Sequence, residues 1–183
     1  MIAEYNFNDR MVMSDGVNQS ANIQELLLAN IPGACNVHRA SNANDRNGVD
    51  WWVEHRSGKF LAIDCKVRSK DFGIKNPKND DLALETWSVI EEKIVGWTAR
   101  EDKLTDYILW FWMDSGRWCL IPFPLLCNVF LKNSDQWTKE YKVATQKTTG
   151  MNSEYHSQCV FVPRRVIWAE IYRNYSGMLM PSN

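Results

Sequence analysis

Three charged side chains in one short stretch have the types and spacing to do chemistry. Asp50 stands at the head of the apolar run 49–54, while Asp64 and Lys66 flank Cys65 near the end of a second run, 60–67. Ser57 and Gly58 fall between the runs, so residues 45–68 read as two strands joined by a tight turn. The period of two along a strand places Asp64 and Lys66 on one face. Adjacent strands then bring two carboxylates and an ammonium to one sheet edge. Carboxylates a few ångströms apart repel unless a cation lies between them, and an all-oxygen donor set suits Mg²⁺ or Mn²⁺. A lysine beside such an ion can steer a water or hold a phosphate oxygen. That is equipment for metal-assisted phosphodiester hydrolysis. The plainer alternative is a turn-capping Asp50 and an exposed ladder pair of Asp64 and Lys66.

Gly48, Val49 and Asp50, followed after 13 residues by Asp64, Cys65 and Lys66, resemble the signature of the PD-(D/E)XK nuclease superfamily. That superfamily includes restriction endonucleases, Holliday-junction resolvases and phage exonucleases. Val49 departs from the pattern, standing where the name-giving proline would be. The resemblance covers residues 25–66 and implies an α/β fold, a mixed central sheet flanked by helices. Its restriction-endonuclease-like core would run helix, three-strand meander, helix and strand. It further implies that Asp50 and Asp64 bind Mg²⁺ or Mn²⁺ and that Lys66 handles the nucleophilic water. A glutamate from the preceding helix often joins them, and Glu25 fits that place. The implied function is a metal-dependent endonuclease on DNA. The alternative from another class is a catalytically inactive nuclease-fold protein that binds nucleic acid or a protein partner. A phage or mobile-element origin suits both, and a junction resolvase would require a homodimer with two sites.

The chain of 183 residues suits one domain over 1–183, and no shift of composition suggests two. Hydrophobic content of 45% and nine tryptophans argue for a packed globular protein. A formal charge of −1 gives no global attraction to nucleic acid, so binding must come from a local patch. The segment 56–78 supplies one: seven cations stand against two acids, Asp64 and Asp71. Arg68, Lys70 and Lys75 within it are candidates to track a phosphate backbone; the bland reading is a solvated lysine-rich loop. Arg164 and Arg165, at the start of the last helix, suit phosphate contact better than the helix dipole. Five cysteines without a CxxC spacing favour reduced thiols and a cytoplasmic setting, with Cys65 and Cys119 as small apolar fillers. No 18-residue apolar run offers a membrane span, and residues 1–10 carry Glu4 and Asp9, so no secretory leader is expected.

These residues need elements to position them. Residues 1–14 read as a loose leader, and 18–30 as a helix with Ser20 as N-cap and Ile23, Leu26 and Leu27 on its apolar stripe. Residues 35–40 form a short strand, followed by an Asn- and Asp-rich loop over 41–48. Strands at 49–54, 60–67, 82–90, 105–112 and 117–123 would make one mixed sheet, with 105–112 central and covered on both faces. Glu85, a lone acid in its apolar run, would add a carboxylate to the site or pair with Lys66 or Arg68. A short helix over 125–132, a polar loop over 134–157 whose Trp137, Tyr141 and Tyr155 either pin it to the core or stack bases, a strand at 158–162 and a helix begun by Pro163 complete the reading.

Overall fold

The computed structural model describes residues 3–6, 21–41, 48–149 and 154–179. Its strands are β1 (Ala3–Asn6), β2 (Ala34–Arg39), β3 (Trp51–His55), β4 (Phe60–Arg68), β5 (Asp81–Val89), β6 (Ile94–Val95), β7 (Tyr107–Trp112), β8 (Trp118–Pro122), β9 (Val143–Thr149) and β10 (Glu154–Pro163). The α-helices are α1 (Ala21–Asn30), α2 (Phe72–Lys75), α3 (Phe123–Glu140) and α4 (Arg164–Leu179). The fold is of the α/β class, with two five-stranded sheets, and the chain divides into two compact units. Ser20, most of the leader and most of the loop at 41–48 lie outside the described residues.

The unit of Asn8–Asp71 and Asp102–Pro124 holds the sheet β2-β3-β4-β7-β8. β2, β3 and β4 form an antiparallel meander, β7 lies parallel to β4, and β8 returns antiparallel to β7. Gly58 and Gly116 sit at φ +80 and +67 in the two hairpin turns, a region that costs glycine little. Helix α1 turns Ile23, Leu27 and Ile31 onto Val37, Trp51, Val53, Ile63, Cys65, Leu109 and Phe111, making one dry core. Ile108 and Trp110, which alternate with that core face, are equally buried, so β7 is covered on both faces as its composition suggested. Beyond β4, buried Asp71 accepts from Ser115 Oγ at 2.8 Å and pairs with Arg117 at 3.1 Å, fixing the β7–β8 turn.

The other unit, Met1–Phe7, Phe72–Glu101 and Leu125–Asn183, holds the sheet β1-β9-β10-β5-β6. β1 is parallel to β9 and the remaining pairs are antiparallel. The strand expected at 82–90 forms as β5 but pairs with β10 and β6, so it does not join the sheet of the first hairpin. Apolarity marks a strand and does not name its partner. The polar loop expected over 134–157 is also corrected. Helix α3 continues to Glu140, because Leu126, Val129, Phe130 and Trp137 recur at helical spacing and are all buried. β9 and much of β10 follow it as a paired ladder. Pro163 closes β10, and α4 begins one residue later. Among the described residues no helix is long and apolar enough to cross a membrane.

Ile63 is fully buried at the centre of the first core. Replacing it with alanine is expected to lower unfolding free energy by about 2–5 kcal/mol, read as a shift in urea midpoint at unchanged slope.

Candidate active site

The site forms where β4 passes between the entry to β3 and the entry to β7. β3 pairs from Trp51 opposite Ile63, and just before it the Asp50 N–H still reaches the Ile63 carbonyl at 2.8 Å. The next N–H of β4 on that edge belongs to Cys65, and it donates to Asp50 Oδ2 at 2.6 Å. A side chain thus takes the ladder place that the backbone has left. The Asp50 carboxylate is thereby set against the peptide that follows Asp64.

Asp64 is 3% exposed, and both of its carboxylate oxygens are held by ammonium groups. Lys66 Nζ lies 2.8 Å from Oδ1, as the shared face of an Asp-x-Lys triplet allows. Lys103 Nζ lies 2.6 Å from Oδ2. Desolvation alone would raise the Asp64 carboxyl, but the two lysines together outweigh it and hold the group below its ordinary value. Burial pulls the Lys103 ammonium down, opposed by the charge of Asp64. The buried Cys65 thiol is pushed well up by desolvation and by the charges of Asp50 and Asp64, so it serves as packing.

Lys103 is the participant that the sequence reading missed. It comes from the segment leading into β7, and the parallel register Ile63↔Tyr107 carries that segment to the head of β4. The same segment is stitched down residue by residue. Asp106 exchanges with Ala62, its N–H donating to the carbonyl at 2.8 Å and its Oδ2 accepting the amide at 2.7 Å. Thr105 Oγ1 donates to the Gly48 carbonyl at 2.6 Å. Gly48 itself has φ +75, and a Cβ there would lie 2.2 Å from Lys103 Nζ. The Gly48 to Asp50 corner and Lys103 are therefore fitted to each other. The only signal available was a lone cation just ahead of a long apolar strand.

The structure does not bring Glu25 to this pair. Helix α1 covers the face that carries Ile63 and Cys65, whereas Asp64, between them, turns to the other face. Glu25 is exposed on that helix. Among the described residues no three His, Cys, Asp or Glu side chains gather closely enough to hold a metal ion. Glu85 belongs to the other unit, where its Oε2 accepts from Ser88 Oγ at 2.6 Å and from the Trp97 amide at 3.0 Å. It pins a turn there.

The candidate cations divide in the same way. Arg68 follows Lys66 at a spacing of two on β4, and exposed Lys70 comes just after. Lys75, Arg164 and Arg165 lie in the second unit, where Arg164 is bound to Asp80 Oδ2 at 2.7 Å. Lys75 and Arg165 are exposed. No family model matches the chain, and no curated protein or solved structure matches it.

Replacing Asp64 with asparagine leaves two lysines facing a neutral amide, an expected loss of about 3–5 kcal/mol at pH 7. Because the folded carboxyl titrates below its ordinary 3.8, this stabilisation is present above that pH and disappears as pH falls through the folded value. The gap between wild type and Asp64→Asn in urea denaturation should narrow steadily on acidification below about pH 4.

Proposed function

We propose that the chain is a divalent-metal-dependent endonuclease that hydrolyses phosphodiester bonds of DNA. The observation that carries this reading is the Asp64 carboxylate, kept ionised in a nearly dry site with the Asp50 carboxylate placed against the adjoining peptide. An ionised acid at that depth, beside a second acid and two ammonium groups, is suited to a cation and a phosphate together. The PD-(D/E)XK resemblance is supported by the order of elements in this unit: a helix, a three-strand meander, and a later strand parallel to the meander's last. What lies between departs from a simple core, because a four-residue helix and strands of the second sheet occupy that interval.

The donor set fits Mg²⁺, which is ordinarily held by one or two carboxylates with waters and substrate phosphate completing an octahedron. Asp50 and Asp64 would hold it, without Glu25. When bound, the ion supplies Lewis-acid stabilisation of the phosphate charge and a more acidic water. Lys66, about a quarter exposed, is the ammonium of the site that solvent reaches, and it would orient an incoming phosphate oxygen or the attacking water by donating a hydrogen bond. Arg68 and Lys70 extend the positive track along the backbone of the nucleic acid.

A second reading is favoured by one observation. Both lysines already pair with Asp64, and the Cys65 N–H holds Asp50, so the cluster also serves as an ion-paired structural element of a nucleic-acid or protein-binding domain without catalysis. Supercoiled plasmid separates the two. Under the enzyme reading it is nicked in Mg²⁺ and left intact in EDTA, and Asp64→Ala and Lys66→Ala each slow nicking by at least about a hundredfold. DNA that is shifted on a gel and never cut in Mg²⁺ or Mn²⁺ would establish the binding domain instead. A panel of duplex, single-stranded and branched substrates then identifies what is cut.

A further inference from the structure

The two ammonium groups on Asp64 are not equivalent. Lys66 reaches Oδ1 from the strand itself and keeps 24% of its side chain in solvent. Lys103 reaches Oδ2 with a side chain only 6% exposed. Its ammonium also stands 5.7 Å from the centre of the Phe123 ring, itself buried, and against Gly48 on the Asp50 corner. Lys103 is enclosed, whereas Lys66 is partly exposed to solvent. Both Asp50 and Asp64 act on Lys103 electrostatically, so its charge lies within the field of both candidate metal ligands.

We infer that Lys103 is a tethered counter-ion for the acid pair, a positioning residue that holds Asp50 and Asp64 together in the metal-free protein and weakens their hold on a divalent ion. This rests on the metal-site reading above. Before any ion arrives, the Lys103 charge lies in the field of both carboxylates and fixes Asp64 through Oδ2. After one arrives, the same charge remains as a near neighbour and repels it. Even screened by the dielectric constant of bulk water, a fixed positive charge about 4 Å from a divalent ion changes affinity by on the order of tenfold or more. Lys66, with about a quarter of its side chain in solvent, is screened more and opposes the ion less.

The test measures Mn²⁺ binding by titration calorimetry and electron paramagnetic resonance on wild type, Lys103→Met, Lys103→Gln and Lys66→Met. The expected order of affinity is the two Lys103 variants tightest, by roughly tenfold or more over wild type, with Lys66→Met between. In the absence of metal the Lys103 variants should melt lower than wild type, and Mn²⁺ should raise their melting temperature by more than it raises that of wild type. Lys103→Gln keeps a hydrogen-bond donor for Asp64 and guards against a methionine variant that fails to fold. If the glutamine variant also requires Mn²⁺ to fold, the ion has replaced the missing cation and the inference stands. Lys103 variants that bind Mn²⁺ no more tightly than wild type, or that stay unfolded in millimolar Mn²⁺, overturn it. Plasmid nicking by wild type is scored separately. Nicking without tightening removes the counter-ion role and leaves the nuclease. Tightening without nicking does the reverse.

Discussion

A single carboxylate deprived of water sets the terms for everything around it. Asp64 lies on the fourth strand with almost no solvent contact, where an uncompensated charge would cost several kcal/mol. Two ammonium groups at hydrogen-bond distance remove that cost, and they do so from different parts of the chain. Lys66 is local, two residues along the same strand. Lys103 is distant in sequence and close only because the fold returns there. Without the second lysine, the buried Asp64 carboxylate would keep one ammonium on one of its two oxygens.

That return is what the sheet order accomplishes. A hairpin alone would give Asp50, Asp64 and Lys66 an open edge. Laying β7 parallel to β4 closes the edge and delivers residues 103–106 to the head of β4, from where Lys103 reaches Asp64. Parallel pairing requires a crossover, and here the crossover is long, containing α2, β5 and β6. Three residues of that segment are then in use: Asp106 on Ala62, Thr105 on the Gly48 carbonyl, Lys103 on Asp64. The left-handed Gly48 allows the close approach, since any Cβ would meet the lysine head.

How much of this was legible follows from the range of each interaction. The Trp51–His55 and Phe60–Arg68 hairpin was readable because alternation and a Ser-Gly turn are local signals. The Asp-x-Lys face was readable for the same reason. Glu25 misled because periodicity shows which side of a helix is apolar and not which side of the sheet that helix will cover; α1 covers the Cys65 side. Residues 82–90 were a strand, yet no pattern within them specifies β10 as their neighbour. Residues 134–140 looked like loop because their polar side dominates the composition, while one buried Trp137 carries the packing. Lys103 was the least visible, since its partner lies 39 residues away and no periodic pattern links them.

The energetic balance of such a cluster also bears on what it is for. A buried ion pair is a poor way to gain stability, because apolar residues of similar volume commonly do as well or better. The surroundings here are apolar already: Ile108 is strand partner to Asp64, Trp110 follows on the same face, and both are within 1% of full burial. A leucine or methionine at positions 64 and 103 would extend that core without any desolvation cost. The four charges, Asp50, Asp64, Lys66 and Lys103, therefore answer to a requirement other than holding the sheet together. A carboxylate kept ionised at such low exposure, with a partly exposed ammonium beside it, is the kind of perturbed group that clusters at functional sites.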